Sequence, residues 1–286
     1  MLLCLNAEWQ GSESPEVEQG ARLLARELFE GMSHIDLGPA DCKDLSVRDG
    51  VFALGCVVDR FRNALSELDA AAPDRIFTVG GTCGSEAAPL AYLARRHGGL
   101  GVVWLDAHGD LNTPATSPSG HFHGMVLRTL LGDGPSAVLA HIEVPLDPRR
   151  VAVVGARDLD TPEREHAAAA GVGIIEGWPP DVLVRLRELL DAAAVENLYI
   201  HVDVDVFDPT RFGDALYPVP GGPSLESVSA LVRELVTSYD IVGVGVVESC
   251  GRQPSAAPAL KEFLVDARLW GRARSAARRG SEASGR

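Results

Sequence analysis

An α/β fold around a parallel sheet is what this sequence predicts, on three observations. Short Val/Ile/Leu-rich runs alternate with longer amphipathic segments rich in Ala, Leu, Arg and Glu along almost all of the 286 residues, the pattern of successive βα units. Most of the short runs are apolar on both faces, as strands covered by helices on both sides must be. The clusters of polar chemistry sit just past the ends of these runs, where open α/β sheets bind their ligands.

Taken in order, the expected strands are residues 2–6, 76–80, 101–106, 151–155, 172–175, 198–205 and 241–247. Apolar spacing at three and four residues predicts helices over 17–29, 60–68, 86–96, 162–170, 182–193, 225–237 and 258–270. Pro162, Pro180 and Pro258 fall at or near first-turn positions, where a missing N–H costs nothing. Residues 1–270 read as one domain without internal repeats, followed by a basic tail, 271–286, that is expected to be disordered.

Composition narrows the function classes. At 46% hydrophobic and 23% charged, with a mean hydropathy of +0.06, the chain excludes a disordered or collagen-like polymer, and a chain of this length buries roughly three quarters of its unfolded surface. The formal charge is −14, and with five Arg and one Glu in the tail it is −18 on residues 1–270. So acidic a body excludes non-specific binding to nucleic acid or an anionic membrane and suits a cationic or metal-bound ligand. No apolar run reaches the roughly 18 residues of a membrane span, and the N-terminal MLLCLNAEWQ lacks the basic region of a signal sequence. Five widely spaced cysteines, an odd number, suit a reducing compartment better than a disulfide framework. The expected location is the cytoplasm.

Four segments distant in sequence converge on the carboxyl edge of such a sheet: GGTCGSE after residues 76–79, DAHGD ending 101–105, RDLD after 151–156, and Glu248 after 241–247. DAHGD sets Asp106, His108 and Asp110 at alternate positions, and an extended stretch points all three to one side. HVDVDVFDP repeats the device with His201, Asp203 and Asp205, while Asp208 before Pro209 reads as a turn. Four carboxylates sharing a pocket with imidazole repel one another by several kcal/mol unless cations neutralise them. A dinuclear metal site follows, and carboxylate with imidazole suits Mn²⁺ and a hydroxide nucleophile at neutral pH. The polar loop NTPATSPSGHFHGM between the two segments carries His121 and His123 and reads as substrate-facing, with His123 a proton shuttle. Glu248 reads as a clamp for a cationic substrate.

These motifs, GG near position 80, DAHGD, SGHFHG, DVDVFDP and a late strand ending in Glu, resemble the arginase/agmatinase family of ureohydrolases. The resemblance implies a three-layer α-β-α fold with a mostly parallel sheet of about eight strands. It also implies two divalent ions, Mn²⁺ by preference, whose bridging hydroxide attacks a guanidinium carbon and releases urea. Residue by residue, it implies that Asp106 and Asp203 bridge the ions, Asp110 binds one of them, and His108 and Asp205 bind the other. His123 would shuttle protons, and Glu248 would hold the guanidinium. The loop residues Asn112, Ser117 and Ser119 match the arginase segment that binds an α-carboxylate, and Asp160, with Glu163 close by, matches the group that receives an α-amino nitrogen. L-Arginine, converted to L-ornithine and urea, is the implied substrate, and a homo-oligomer, trimer or hexamer, is the implied assembly.

Three departures shape the reading. Thr82-Cys83 replaces the family's Asp-His, so Cys83 is either a thiolate ligand favouring Zn²⁺, Fe²⁺ or Co²⁺ or an inert buried thiol. His121 stands where arginases carry an asparagine, and Tyr217 where a threonine supports the glutamate. Two alternatives stay open: another guanidino substrate, such as agmatine, guanidinobutyrate or a biosynthetic guanidine, and a catalytically silent binding protein. Asp160 is also a candidate N-cap of the helix that follows.

Overall fold

The structure, a computed structural model, describes residues 1–37 and 42–270; the expected basic tail lies outside the described residues. In chain order the elements are β1 (Leu2–Asn6), α1 (Glu16–Phe29), β2 (Ile35–Asp36), α2 (Leu54–Ala71), β3 (Ile76–Gly80), α3 (Ala87–Arg96), β4 (Gly101–Leu105), α4 (Val126–Leu130), α5 (Ser136–Leu139), β5 (Val151–Ala156), α6 (Thr161–Ala170), β6 (Gly173–Glu176), α7 (Val182–Ala192), β7 (Asn197–Asp203), α8 (Leu225–Ser238), β8 (Asp240–Val247) and α9 (Ala256–Asp266). The eight strands form one sheet in the order β2-β1-β3-β8-β7-β4-β5-β6, every pairing parallel.

Alternation along the strands divides the core in two. Phe77, Val103, Leu105, Ile200, Val202 and Val246 face a layer of α1, α7, α8 and α9. Ile76, Val102, Trp104, Val153, Tyr199 and Val242 face α2 to α6. Burial of both faces is what makes all-parallel strands read as continuous apolar runs. The three-layer architecture agrees with expectation; the strand missed from sequence, β2, is only two residues long. Among the described residues no helix is long and apolar enough to cross a membrane.

Local chemistry fixes the element ends that matter to the site. Strand β7 stops at Asp203, two residues short of its expected end, because the Asp203 carboxylate accepts the Asp205 N–H at 2.7 Å and starts a 3₁₀ turn over Val204–Val206. Asp208 is the turn residue it was read to be, accepting from the Thr210 and Gly221 N–H groups. Helix α2 begins at Leu54 rather than at 60, and its first turn carries Cys56, which is joined to Cys42 in a disulfide. This corrects the expectation that the cysteines stay unpaired. The chain from 42 folds back over α2 and brings the two Cα atoms to 5.4 Å, a proximity that a spacing of 14 residues does not reveal. Cys4, Cys83 and Cys250 are free and buried.

Candidate metal centre

The carboxyl ends of β3, β4, β7 and β8 are neighbours at the middle of the sheet, and each delivers one part of the site. After β3 a 3₁₀ turn, Cys83–Glu86, turns the Cys83 thiol inward, 3.1 Å from Asp203 Oδ2 and 3.8 Å from His201 Nε2. After β4, Asp106 is fixed through both oxygens, Oδ1 accepting the His108 N–H at 2.6 Å and Oδ2 the Trp104 indole N–H at 3.0 Å. His108 Nδ1 lies 2.8 Å from Asp205 Oδ2, whose other oxygen accepts the Ala107 N–H. After β8, Glu248 Oε1 accepts the Cys83 N–H at 3.0 Å and stands 3.2 Å from His123 Nδ1. Asp110 and Glu248 hold left-handed backbones, with φ of 53° and 65°. Non-glycine residues in that region cost of order 1 kcal/mol or more and cluster at functional sites.

Three sets of donor atoms converge here: Cys83, Asp106, Asp110 and His201; Cys83, Asp203 and Glu248; and Asp106, His108 and Asp205. Asp106 and Cys83 each belong to two of the sets. All six residues proposed from sequence as metal ligands are therefore gathered, and His201 joins them. The alternation in HVDVD had already placed it on the face of Asp203.

Electrostatics argue that this cluster fits cations. Burial, with Asp106 beside it, pushes Asp205 up to about 6, and burial together with neighbouring carboxylates drives Asp110 and Asp203 well above the usual range. Burial raises the Cys83 thiol, and Asp110 and Asp203 raise it further. Burial opposes a charged His201, yet Glu86 and Asp106 carry it up to about 9. Asp110 Oδ2 and Glu248 Oε2 are buried with no hydrogen-bond partner among the described residues. A divalent ion at Asp110 and a cationic ligand at Glu248 would satisfy these orphaned oxygens and reduce the mutual repulsion.

Above the cluster opens a cavity of about 320 Å³ lined by Asn112, Ser119, His121, His123, Asp160 and Tyr217 among others. A larger surface groove of about 650 Å³ lies beside α7 and Arg149 and Arg150, before β5, away from every one of these groups. Ser117 is not in the cavity wall; its hydroxyl accepts the Gly120 N–H within its own loop. His121 Nε2 lies 3.3 Å from Glu13 Oε2, and Tyr217 lies against His123 with ring centres 5.4 Å apart. The loop end containing His121 is braced by the segment enclosed by the disulfide, the Phe52 N–H donating to Gly120 O.

Asp160 is the N-cap it was considered to be, in a capping box with Glu163 on α6, and it also faces the cavity, where it accepts from Asn112 Nδ2 at 3.0 Å. Glu163 spends one oxygen on the Asp160 N–H and the other on the Leu111 N–H, so it holds the loop in place while also lining the cavity. Asp160→Ala is expected to cost about 1 kcal/mol through loss of the cap, measured by urea unfolding, and to free the Asn112 amide. Arg157 makes no ion pair with its neighbour Asp158. The Arg157 guanidinium donates instead to the carbonyls of Gly155, Asp205 and Val219 and so ties down the turn bearing Asp205.

The sequence model of the arginase family matches residues 7–255. An arginase of Staphylococcus aureus (strain COL) is 33% identical over 177 residues, 58% of this chain and 59% of that protein. The N(omega)-hydroxy-L-arginine amidinohydrolase of Streptomyces lavendulae is 35% identical over 170 residues, 59% of each chain. The chain thus spans about three fifths of the length of these curated relatives. The crystal structure of arginase from Bacillus cereus shares the fold, with a TM-score of 0.82 and 24% identity over 94% of this chain and 96% of that one. With the family match running through every ligand segment from Cys83 to Glu248, this chain belongs to the arginase family.

Proposed function

We propose that this protein is a metal-dependent amidinohydrolase that converts L-arginine to L-ornithine and urea. The observation that carries the reading is the placing of His123 and Glu248, 3.2 Å apart, between the ligand cluster and a cavity of arginine size. Two divalent ions, held by Asp106, His108, Asp110, Asp203, Asp205 and Cys83, supply when bound an activated water at neutral pH. Mn²⁺ is the ion expected of the carboxylates, and Zn²⁺, Fe²⁺ or Co²⁺ gains from the Cys83 thiolate.

Glu248 receives the guanidinium, its remaining oxygen Oε2 being buried and unpaired among the described residues. His123, anchored by Glu248 Oε1, carries a proton toward the departing amine. Asn112, Ser119 and Asp160 receive the α-substituents of the amino acid at the cavity rim. Residues 1–270 work as one domain in a homo-oligomer.

A second substrate is favoured by a specific observation. His121 paired to Glu13 and Tyr217 over His123 give the cavity mouth a bulk and polarity suited to a modified guanidine, and one relative is named for N(omega)-hydroxy-L-arginine. Urea or hydroxyurea release is measured from L-arginine, N(omega)-hydroxy-L-arginine, agmatine and guanidinobutyrate, with protein loaded in turn with Mn²⁺, Zn²⁺ and Co²⁺. Preference for L-arginine supports the first reading, and preference for the hydroxylated substrate replaces it with the second. Stoichiometric metal with no turnover of any guanidine leaves a silent binding protein and overturns both.

A further inference from the structure

We propose that His201, held by Glu86, supplies an imidazole to the first of the two metal positions, which is thus built from Cys83, Asp106, Asp110 and His201. The inference deepens the proposed function and rests on its metal-dependent reading.

His201 lies in a row that crosses the sheet, Thr78 on β3, Gly245 on β8, His201 on β7 and Trp104 on β4, each paired in register with the next. Its ring is wholly buried and lies flat on the Trp104 indole, the ring centres 3.4 Å apart and the planes within 5°. Nδ1 is hydrogen-bonded to Glu86 Oε2, which turns Nε2 into the ligand cluster. There Nε2 stands 3.7 Å from Asp106 Oδ2 and 3.8 Å from Cys83 Sγ. A tetrahedral ion holds a sulfur and a nitrogen ligand at an edge of about 3.6 Å. Among the described residues the only hydrogen-bonding neighbour of Nε2 is the Cys83 sulfur.

The support behind His201 is built to fit. Glu86 reaches the imidazole across β8 only because position 245 is glycine: a Cβ there would fall 0.9 Å from Glu86 Oε1. A carboxylate on the far nitrogen of an imidazole fixes its tautomer and raises its basicity as a ligand. Chain geometry thus provides an imidazole, with its own carboxylate support, at a position where the histidine expected at residue 83 is absent. One thiolate, one imidazole and two carboxylates form a softer donor set than carboxylates and imidazole alone, suited to Zn²⁺ or Co²⁺.

The test uses the full chain loaded with Zn²⁺ or Co²⁺, read by metal content, X-ray absorption and optical spectra. The expected wild type binds two ions per chain, shows one sulfur and two imidazole donors per pair of ions, and with Co²⁺ gives a thiolate charge-transfer band. His201→Ala is expected to lose one imidazole and one ion. Glu86→Gln, which keeps the shape of the support, is expected to weaken the first position about 10–100-fold. Two ions bound with a single imidazole in the wild type, or undiminished affinity in both variants, would overturn the assignment while leaving the metal-dependent reading intact. A wild type that binds neither ion overturns both.

Discussion

Asp203→Asn is expected to abolish urea release while leaving the fold intact. Asp203 Oδ1 accepts the Asp205 N–H at 2.7 Å, and Oδ2 lies 3.1 Å from Cys83 Sγ in the donor cluster. An asparagine keeps the acceptor that starts the 3₁₀ turn and loses only the charge and the second anionic oxygen. Because burial and like charges push Asp203 well above the carboxylate range, its neutralisation relieves repulsion, and the melting temperature of metal-stripped protein should hold or rise. The loss of turnover should go well beyond the about 10–100-fold typical of losing an outer partner of a ligand. Asp106→Asn should be equally inactive and also less stable, since both Asp106 oxygens accept and an amide NH₂ would face either the His108 N–H or the Trp104 indole N–H. Steady-state urea release alongside calorimetry decides it. Activity retained by Asp203→Asn would sink the two-ion reading.

The second large effect is a reversal in how stability depends on pH when metal is removed. In stripped protein, Asp205 at about 6 and His201 at about 9, with Asp110, Asp203 and Cys83 also raised, all lie above their unfolded values. Each such group stabilises the fold at pH below its unfolded value and loses that contribution as pH rises through its folded value. For Asp205 the loss falls between about pH 4 and 6, and for His201 between about 6.5 and 9. Asp205 alone is linked to roughly 3 kcal/mol of stability. Asp106, held low by His108 and His201 against its burial, acts with the opposite sign only in stronger acid. The lowered carboxyls of Asp44, Asp74 and Asp208 are fully exposed and weakly felt. Stripped protein should therefore melt lower with each step from pH 4 to 9, by roughly 10 °C or more in all. Saturating Mn²⁺ or Zn²⁺ should reverse the slope, because ligands bind metal only when deprotonated. A melting temperature that climbs with pH in the presence of chelator would refute the account.

The sheet was legible in the sequence because its strands are buried on both faces: residues 76–80, 101–105 and 241–247 carry no polar side chain beyond Thr78. Strand β2 was not, since two residues carry no period. Nor were α4 and α5, at five and four residues. The site was legible where chemistry alternates along one strand, as in DAHGD. It was not legible where it depends on contacts between strands. Glu86 reads as the start of a helix, and nothing local tells that it will meet His201, 115 residues away, through the gap left by Gly245. Arg157 likewise gives no local sign that its planar donors will serve carbonyls of three separate segments, Gly155, Asp205 with Phe207, and Val219 with Pro220. The disulfide belongs to the same class, a pairing made by a loop that doubles back.

Strand order carries a consequence for the birth of the protein. Among the described residues β8 is the last strand in chain order, sits at the centre of the sheet and alone joins β2-β1-β3 to β7-β4-β5-β6. Before it emerges, Cys83 belongs to one half-sheet, while Asp106, His108, Asp110, His201, Asp203 and Asp205 belong to the other. The nascent chain then presents two open apolar edges, β3 and β7, of the kind that recruit foreign strands. Closing them requires non-local pairings that form slowly. Synthesis must thus run past Glu248 before the site can exist, and a chain broken off short of β8 leaves the ribosome as a substrate for chaperones.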